Sequence, residues 1–193
     1  MSDRAWAAIH IGGKADVRVL DEALKDVYGI HEGLAAAFAR NRDAGYESLV
    51  YNGEHLALED NEATNGMFGD LERALIKARV AFTRDNGACS GCWSSGARHF
   101  RPIPEPGESD IDIELVLSEE EGYVCIDAAD IRKRLGEAES AEDAVRSIEA
   151  YLDAYAPIVP ELEPLELIGS EAEVQEVLAE STEVWLARKA KEE

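Results

Sequence analysis

A chain of 193 residues, 46% of them apolar, can bury a core without disulfides or metals and is too apolar to be disordered throughout. It carries 41 acidic and 19 basic residues, a formal charge of -22, so direct contact of its acidic part with nucleic acid or an anionic membrane is disfavoured. No apolar run approaches the roughly 18 residues of a membrane-spanning helix, and three cysteines, an odd number, argue against a disulfide framework.

The opening MSDRAWAAIHIGGKAD has too short an apolar stretch for a signal-peptide core, so a cytoplasmic location is expected. Ala5–Ile11 reads as a first strand ending at Gly12-Gly13. Asp16 then caps a helix with Val17, Leu20, Leu24 and Val27 at helical spacing. A second helical stretch runs from His31 to about Arg42. Ser48–Tyr51, Asn52-Gly53 and Glu54–Leu58 predict a hairpin, because a two-residue Asn-Gly turn tolerates positive φ at both positions. Glu59–Asn65 reads as a polar loop. Met67–Ala78 reads as a helix burying Phe68, Leu71, Ala74, Leu75 and Ala78, and Arg79–Phe82 as a strand. Asp85–Gly96 is a loop rich in Gly, Ser and Cys, and Ala97–Arg101 a short strand.

Pro102, Pro104 and Pro106 mark a connector at which the composition shifts. Residues 1–102 hold 15 acids and 12 bases, whereas residues 103–193 hold 26 acids and 7 bases. Asp110–Leu117 alternates strictly, with Ile111, Ile113, Leu115 and Leu117 on one side and Asp110, Asp112 and Glu114 on the other. This predicts a half-buried strand with an acidic outer face. Tyr123–Ile126 follows as a strand, Asp127 caps a helix to Leu135, and Ser140 with Asp143 opens a helix to about Tyr155. After Pro157 and Pro160, Ser170 with Glu173 opens a last helix over Glu171–Lys189, with Val174, Val177, Leu178, Val184 and Trp185 as packing residues. The expected fold is α+β: a largely antiparallel sheet with helices on one face and an acidic helical C-terminal region. Residues 1–156 would form the domain, and residues 157–193 an extension packed on it or on a partner.

Several residues invite a chemical reading. Cys89 and Cys92 form a C-x-x-C that could hold zinc or cycle as a redox pair, with His99 as a further ligand and His55 and Cys125 behind it. No second C-x-x-C accompanies them, and two incidental loop cysteines are the ordinary reading. Gly12-Gly13-Lys14 lacks a phosphate-loop pattern and reads as a turn. Asp110, Asp112 and Glu114 are ordinarily a solvated face, yet they could hold a cation or meet a basic partner. The four histidines are scattered and no triad pattern is present, so catalysis is not expected.

Ile9-His10-Ile11-Gly12-Gly13, together with Asp60, Glu62, Ala63, Gly66, Phe68, Leu71 and Glu72 in the pattern D-x-E-A-x-x-G-x-F-x-x-L-E, resembles a group of uncharacterised bacterial proteins over roughly residues 5–130. The resemblance implies no particular activity. In its physical reading Asn65 or Thr64 caps the helix, Gly66 permits a tight entry and Phe68 packs inward. Asp60 and Glu62 would then lie on a loop near the hairpin as a candidate site.

The charge asymmetry predicts a non-enzymatic interaction protein that binds a basic partner through Asp110, Asp112, Glu114 and the Glu-rich helices. Its sharpest form is a DNA mimic or anti-defence protein, since duplex DNA carries about one charge per 1.7 Å of axis. Adaptation to salt would also produce acidity, but residues 1–102 are nearly balanced. The alternatives are a metal or redox protein using the Cys89/Cys92 loop, and a small enzyme.

Overall fold

The computed structural model describes residues 4–25, 34, 37, 38, 49–89, 94–103, 109–118 and 124–192, with residues 181 and 184–192 described by their backbone alone. The elements in chain order are β1 (Arg4–Gly12), β2 (Lys14–Asp16), α1 (Val17–Lys25), β3 (Val50–Tyr51), β4 (Leu56–Thr64), α2 (Gly69–Ala78), β5 (Ala81–Asn86) and β6 (Gly96–Arg101). They continue with β7 (Ile111–Val116), α3 (Ala128–Glu137), α4 (Ala141–Tyr155), β8 (Glu166–Ile168) and α5 (Glu171–Glu192). Six strands pair antiparallel in the order β3-β4-β1-β5-β6-β7, so the fold is α+β. None of the described helices is long and apolar enough to cross a membrane.

The register assigns each sheet residue to a face, because residues directly opposite in an antiparallel pair share one. Leu56, Ile11, Phe82 and Phe100 form one row, continued by Asp112, and Leu58, Ile9, Arg84 and Arg98 form the next, continued by Glu114. The apolar members of these rows meet Leu20 and Leu24 of α1, Leu71 and Leu75 of α2 and Val177 of α5 in one core cluster. The other face carries Ala57, His10, Thr83, His99 and Ile113 in one row.

Local signals place the helices. The Asp16 carboxylate accepts from Arg18 and Val19 N–H at 3.0 Å and starts α1. Asp127 accepts from Ala129 N–H at 2.7 Å, Ser140 from Asp143 N–H at 3.1 Å and Ser170 from Glu173 N–H at 3.2 Å, which start α3, α4 and α5. Of the predicted second helix, residues 34, 37 and 38 are helical and the rest lies outside the described residues. Asp21 of α1, almost fully buried, accepts from Leu34 N–H at 2.8 Å.

Four sequence expectations are corrected. First, Glu59–Asn65 is not a loop: β4 continues to Thr64 along the whole of β1, with a register shift opposite Ala5–Ala7. Pairing to a long central strand overrides the poor strand propensity of Glu, Asp and Asn. Second, Asn52-Gly53 is not a two-residue turn. Tyr51 pairs with Leu56, leaving a four-residue connection in which only Gly53 has positive φ. The Asn52 side chain instead accepts from Glu54 and His55 N–H at 3.0 and 2.8 Å. Third, neither Thr64 nor Asn65 caps α2. Asn65 and Gly66 both take left-handed φ, 56° and 64°, so the chain turns there and the helix starts only after Phe68. Fourth, of the strand expected at Tyr123–Ile126 only an isolated bridge, Leu117 to Val124, is formed among the described residues.

The segment after Pro157 returns to the sheet. Gly13 N–H donates to Glu163 O at 2.8 Å, Leu165 N–H to Glu54 O at 2.7 Å and Glu166 N–H to Gly13 O at 2.9 Å, and β8 pairs parallel with β2. Val174, Val177 and Leu178 of α5 then pack on the core cluster, while Arg18 of α1 donates to Glu173 and Glu176 at 2.9 and 2.6 Å. The pairing of β2 with β8 was invisible in the sequence, since three-residue strands carry no readable alternation.

Candidate functional site

Three polar ensembles are built on this frame. The first lies under the N-terminal turns of α2. Glu72 sits on the inner face of the helix beside Leu71 and Leu75 and is 1% exposed. Its Oε1 accepts from Phe68 N–H at 3.0 Å, and its Oε2 accepts from Arg98 Nη1 at 2.9 Å. Arg84, equally buried, approaches Glu72 Oε1 through Nε at 3.4 Å, a charge contact too poorly aligned to be a hydrogen bond. Its Nη2 donates to Glu114 at 2.8 Å and its Nη1 to Gly66 O at 3.3 Å and to Asn86 Oδ1. Arg98 forks onto both oxygens of Asp112 at 2.9 Å. These partners raise the Arg98 pKa, the hydrogen bond to Asp112 above all and then those charges and Glu72, against the cost of burial.

This ensemble decides where the predicted partner-binding acids stand. Asp112 and Glu114 do not form a free outer face: they occupy the helix-side rows of the sheet and pair with Arg98 and Arg84. Asp110 accepts both terminal nitrogens of Arg79 at 2.9 Å and also Ile103 N–H at 3.0 Å. Alternation correctly separated the acids from the isoleucines but could not say which side the helices take, because the register with β6 decides it. Sequence reasoning missed Glu72 as a site residue, although it lies between Leu71 and Leu75 on a face otherwise read as apolar.

The second ensemble is on the opposite sheet face. His10, Thr83 and His99 are neighbours in one row, and His55, in the turn before β4, places its ring 6.4 Å from that of His10, edge to face. Histidines that look scattered in the sequence are thus gathered by strand pairing. The Thr83 hydroxyl accepts from Arg101 Nη2 at 2.8 Å and lies 3.1 Å from His99 Nδ1. Arg101 further donates to Phe82 O at 2.6 Å, Phe100 O at 3.0 Å and Pro160 O at 3.1 Å. It is a clamp between the sheet and the returning segment, and burial lowers its pKa. His55 Nε2 sits 3.3 Å from Leu162 O on the same segment.

His99 is held below the usual histidine range, first by burial and then by the Arg101 charge, with Asp85 opposing and Arg84 adding. The sign follows. The unfolded chain takes up the proton first as pH falls, so the contribution of a neutral His99 is full above the ordinary value of 6.5 and is lost as pH falls towards and through the lower folded value. H99Q is therefore expected to flatten the decline of stability between neutral and mildly acidic pH, measured by denaturant unfolding at a series of pH values. An unchanged slope would contradict the assignment.

Among the described residues, the other predicted site residues do not gather into one cluster. Asp60 lies in β4 and accepts from Glu62 N–H at 2.7 Å, while the exposed Glu62 pairs at 3.8 Å with Arg4. Cys89 is half-buried and Cys125 exposed; Cys92 lies outside the described residues. Among the described residues no three of His, Cys, Asp and Glu gather as a metal site.

The third ensemble is the α3–α4 hairpin. Tyr151 of α4 is buried against α3, where its ring receives the Arg134 guanidinium at 4.7 Å and its hydroxyl donates to Asp130 at 3.5 Å. An open groove of about 380 Å³ runs between the helices, lined by Asp130, Lys133, Arg134, Glu137, Asp143 and Tyr155 among others, with charges of both signs. Comparison with protein-family models, curated proteins and solved structures found no match for this chain.

Proposed function

We propose that this is a non-enzymatic interaction protein whose acidic C-terminal half binds a basic protein partner. The observation that carries the reading is how charge divides between the halves. Arg79, Arg84 and Arg98 of the first half neutralise Asp110, Asp112 and Glu114. Exposed acids of the helical region, among them Glu137, Glu142, Glu149, Asp153, Glu180 and Glu183, make no ion pair with any described residue. The unpaired negative charge is therefore displaced from the sheet onto α4 and α5, since α3 holds two acids and three bases, and there it can raise the local concentration of a cationic surface. The partner-binding residues of this reading are the helix acids. Asp110, Asp112 and Glu114 serve it indirectly, by holding β7 to the arginines. A cytoplasmic setting belongs to the same reading, and imitation of DNA is its most specific form.

The test is capture from lysate of the source cell on immobilised protein, eluted with a salt gradient. The expected result is a polypeptide of high isoelectric point whose affinity falls roughly tenfold or more between low and physiological ionic strength, as screening shortens the range of the field. Retention of nothing basic, or of a partner indifferent to salt, would overturn the reading.

A further inference from the structure

Helix α4 carries an apolar seam that is exposed along most of its length, with Ile148 half-buried. Ala141, Val145, Ile148, Leu152 and Tyr155 follow one another at spacings of four, three, four and three residues, the repeat of a helix-pairing face. Yet Val145 is 55% exposed, Leu152 36% and Tyr155 57%, and Ile158, just past the helix, is 96% exposed. The contact of α4 with α3 centres on Tyr151, beside the seam, whose ring lies 4.7 Å from that of Tyr155, so the C-terminal end of the seam borders α3 and Val145 near its start stays exposed. A shallow open groove of about 520 Å³ lies over the first turn, lined by Ala141, Glu142, Val145 and Arg146.

The edge of the seam is charged in one sense. Glu142, Glu149 and Asp153 each follow a seam residue directly and are exposed, and Arg146 is the single base among them. We propose that this seam docks an amphipathic helix of another protein, one whose apolar stripe is bordered by lysine or arginine. The proposal rests on the reading given above, that the acidic half binds a basic partner, and names where and in what form. Charge decides the occupant. In an antiparallel two-fold pairing of two copies along this seam the Glu142, Glu149 and Asp153 edge would face itself, and like charges at such flanking positions oppose association, while in a parallel pairing it would meet the Ala144, Ser147 and Tyr151 edge, which offers no cation. A basic edge is attracted to the same position, while the seam buries the apolar stripe in the helix-in-groove manner.

The test uses the full chain and a labelled synthetic peptide of about three heptads, with leucine at the seam positions and lysine on the flanks. A peptide of the same composition in scrambled order is the control, and binding is read by fluorescence anisotropy at fixed ionic strength. The expected result is at least tenfold tighter binding of the patterned peptide. V145D/L152D should abolish that preference. E142Q/E149Q/D153N, which leaves the packing untouched, should weaken the patterned peptide about tenfold at low salt and reduce the salt dependence. Equal binding of the two peptides, absence of binding, or a preference surviving in a folded V145D/L152D chain would overturn the proposal. So would a dimer of the chain that V145D/L152D converts to monomer, since a second copy would then occupy the seam. The broader reading stands or falls separately, on whether salt-gradient capture returns a basic partner.

Discussion

Glu72→Ala is expected to lower the unfolding free energy by about 3–5 kcal/mol, the range for removing one partner of a buried ion pair. Glu72 and Arg84 are each 1% exposed, so the guanidinium left behind would remain in the interior facing only Glu114, Asn86 and the Gly66 carbonyl. Arg98 would keep Asp112 but lose its inner anchor, and the Phe68 N–H at the start of α2 would lose its acceptor. The outer pairs contribute little by comparison, because the side chains of Asp112 and Glu114 are 41% and 65% exposed. Glu72→Met combined with Arg84→Met should cost less than Glu72→Ala alone, since no guanidinium then stays in the interior, while Arg98 keeps Asp112 and the exposed Glu114 turns to solvent. Denaturant unfolding of the two variants decides this. A loss below about 1 kcal/mol for Glu72→Ala would mean that water reaches the site and that the network is peripheral.

The second large effect is expected at Gly12. A Cβ there would fall onto the backbone oxygen of Glu163 and reach 2.7 Å from His55 Cδ2 and 3.0 Å from the Leu162 side chain. Backbone cannot yield as a flexible side chain can, so Gly12→Ala must push the returning segment off the end of β1. That segment is held by Gly13 to Glu163, Leu165 to Glu54, Glu166 to Gly13 and Arg101 to Pro160. Overpacking of this kind typically costs 1–3 kcal/mol, and the loss of these bonds adds to it. Gly12→Ala should therefore destabilise by about 2 kcal/mol or more and open the chain near residues 157–166 to limited proteolysis. Native-like resistance to protease would show that the segment is not clamped there.

Most features set by a few neighbouring residues were legible in the sequence, the Asn52-Gly53 turn and the start of α2 excepted. Asp16, Asp127, Ser140 and Ser170 start helices as expected, and the alternation over Asp110–Leu117 marks β7. Features set by pairing between distant segments were not. The length of β4 depends on β1, and β8 exists only because β2 lies beside it. The gathering of His10, Thr83 and His99 is a consequence of strand register, as is the engagement of Asp112 and Glu114 by Arg98 and Arg84. The acids were recognised as a group, but charge counts do not say which of them a fold neutralises internally. Glu72 was concealed in a stretch whose spacing fits an apolar face, and only its two arginine partners reveal it. The seam on α4 could be read from the sequence as apolar spacing, whereas its exposure is a property of the fold.

Whether the acidic helices bind a basic protein is decided by salt-gradient elution of whatever the immobilised full chain retains from its own cell, followed by the salt dependence of that partner's affinity. A basic protein released sharply as ionic strength rises is the expected result. Its affinity should drop when Glu142, Glu149 and Asp153 are neutralised. Retention of no basic protein, or of one equally bound at high salt, would contradict the claim and leave the acidity of the helical region as a solvated surface.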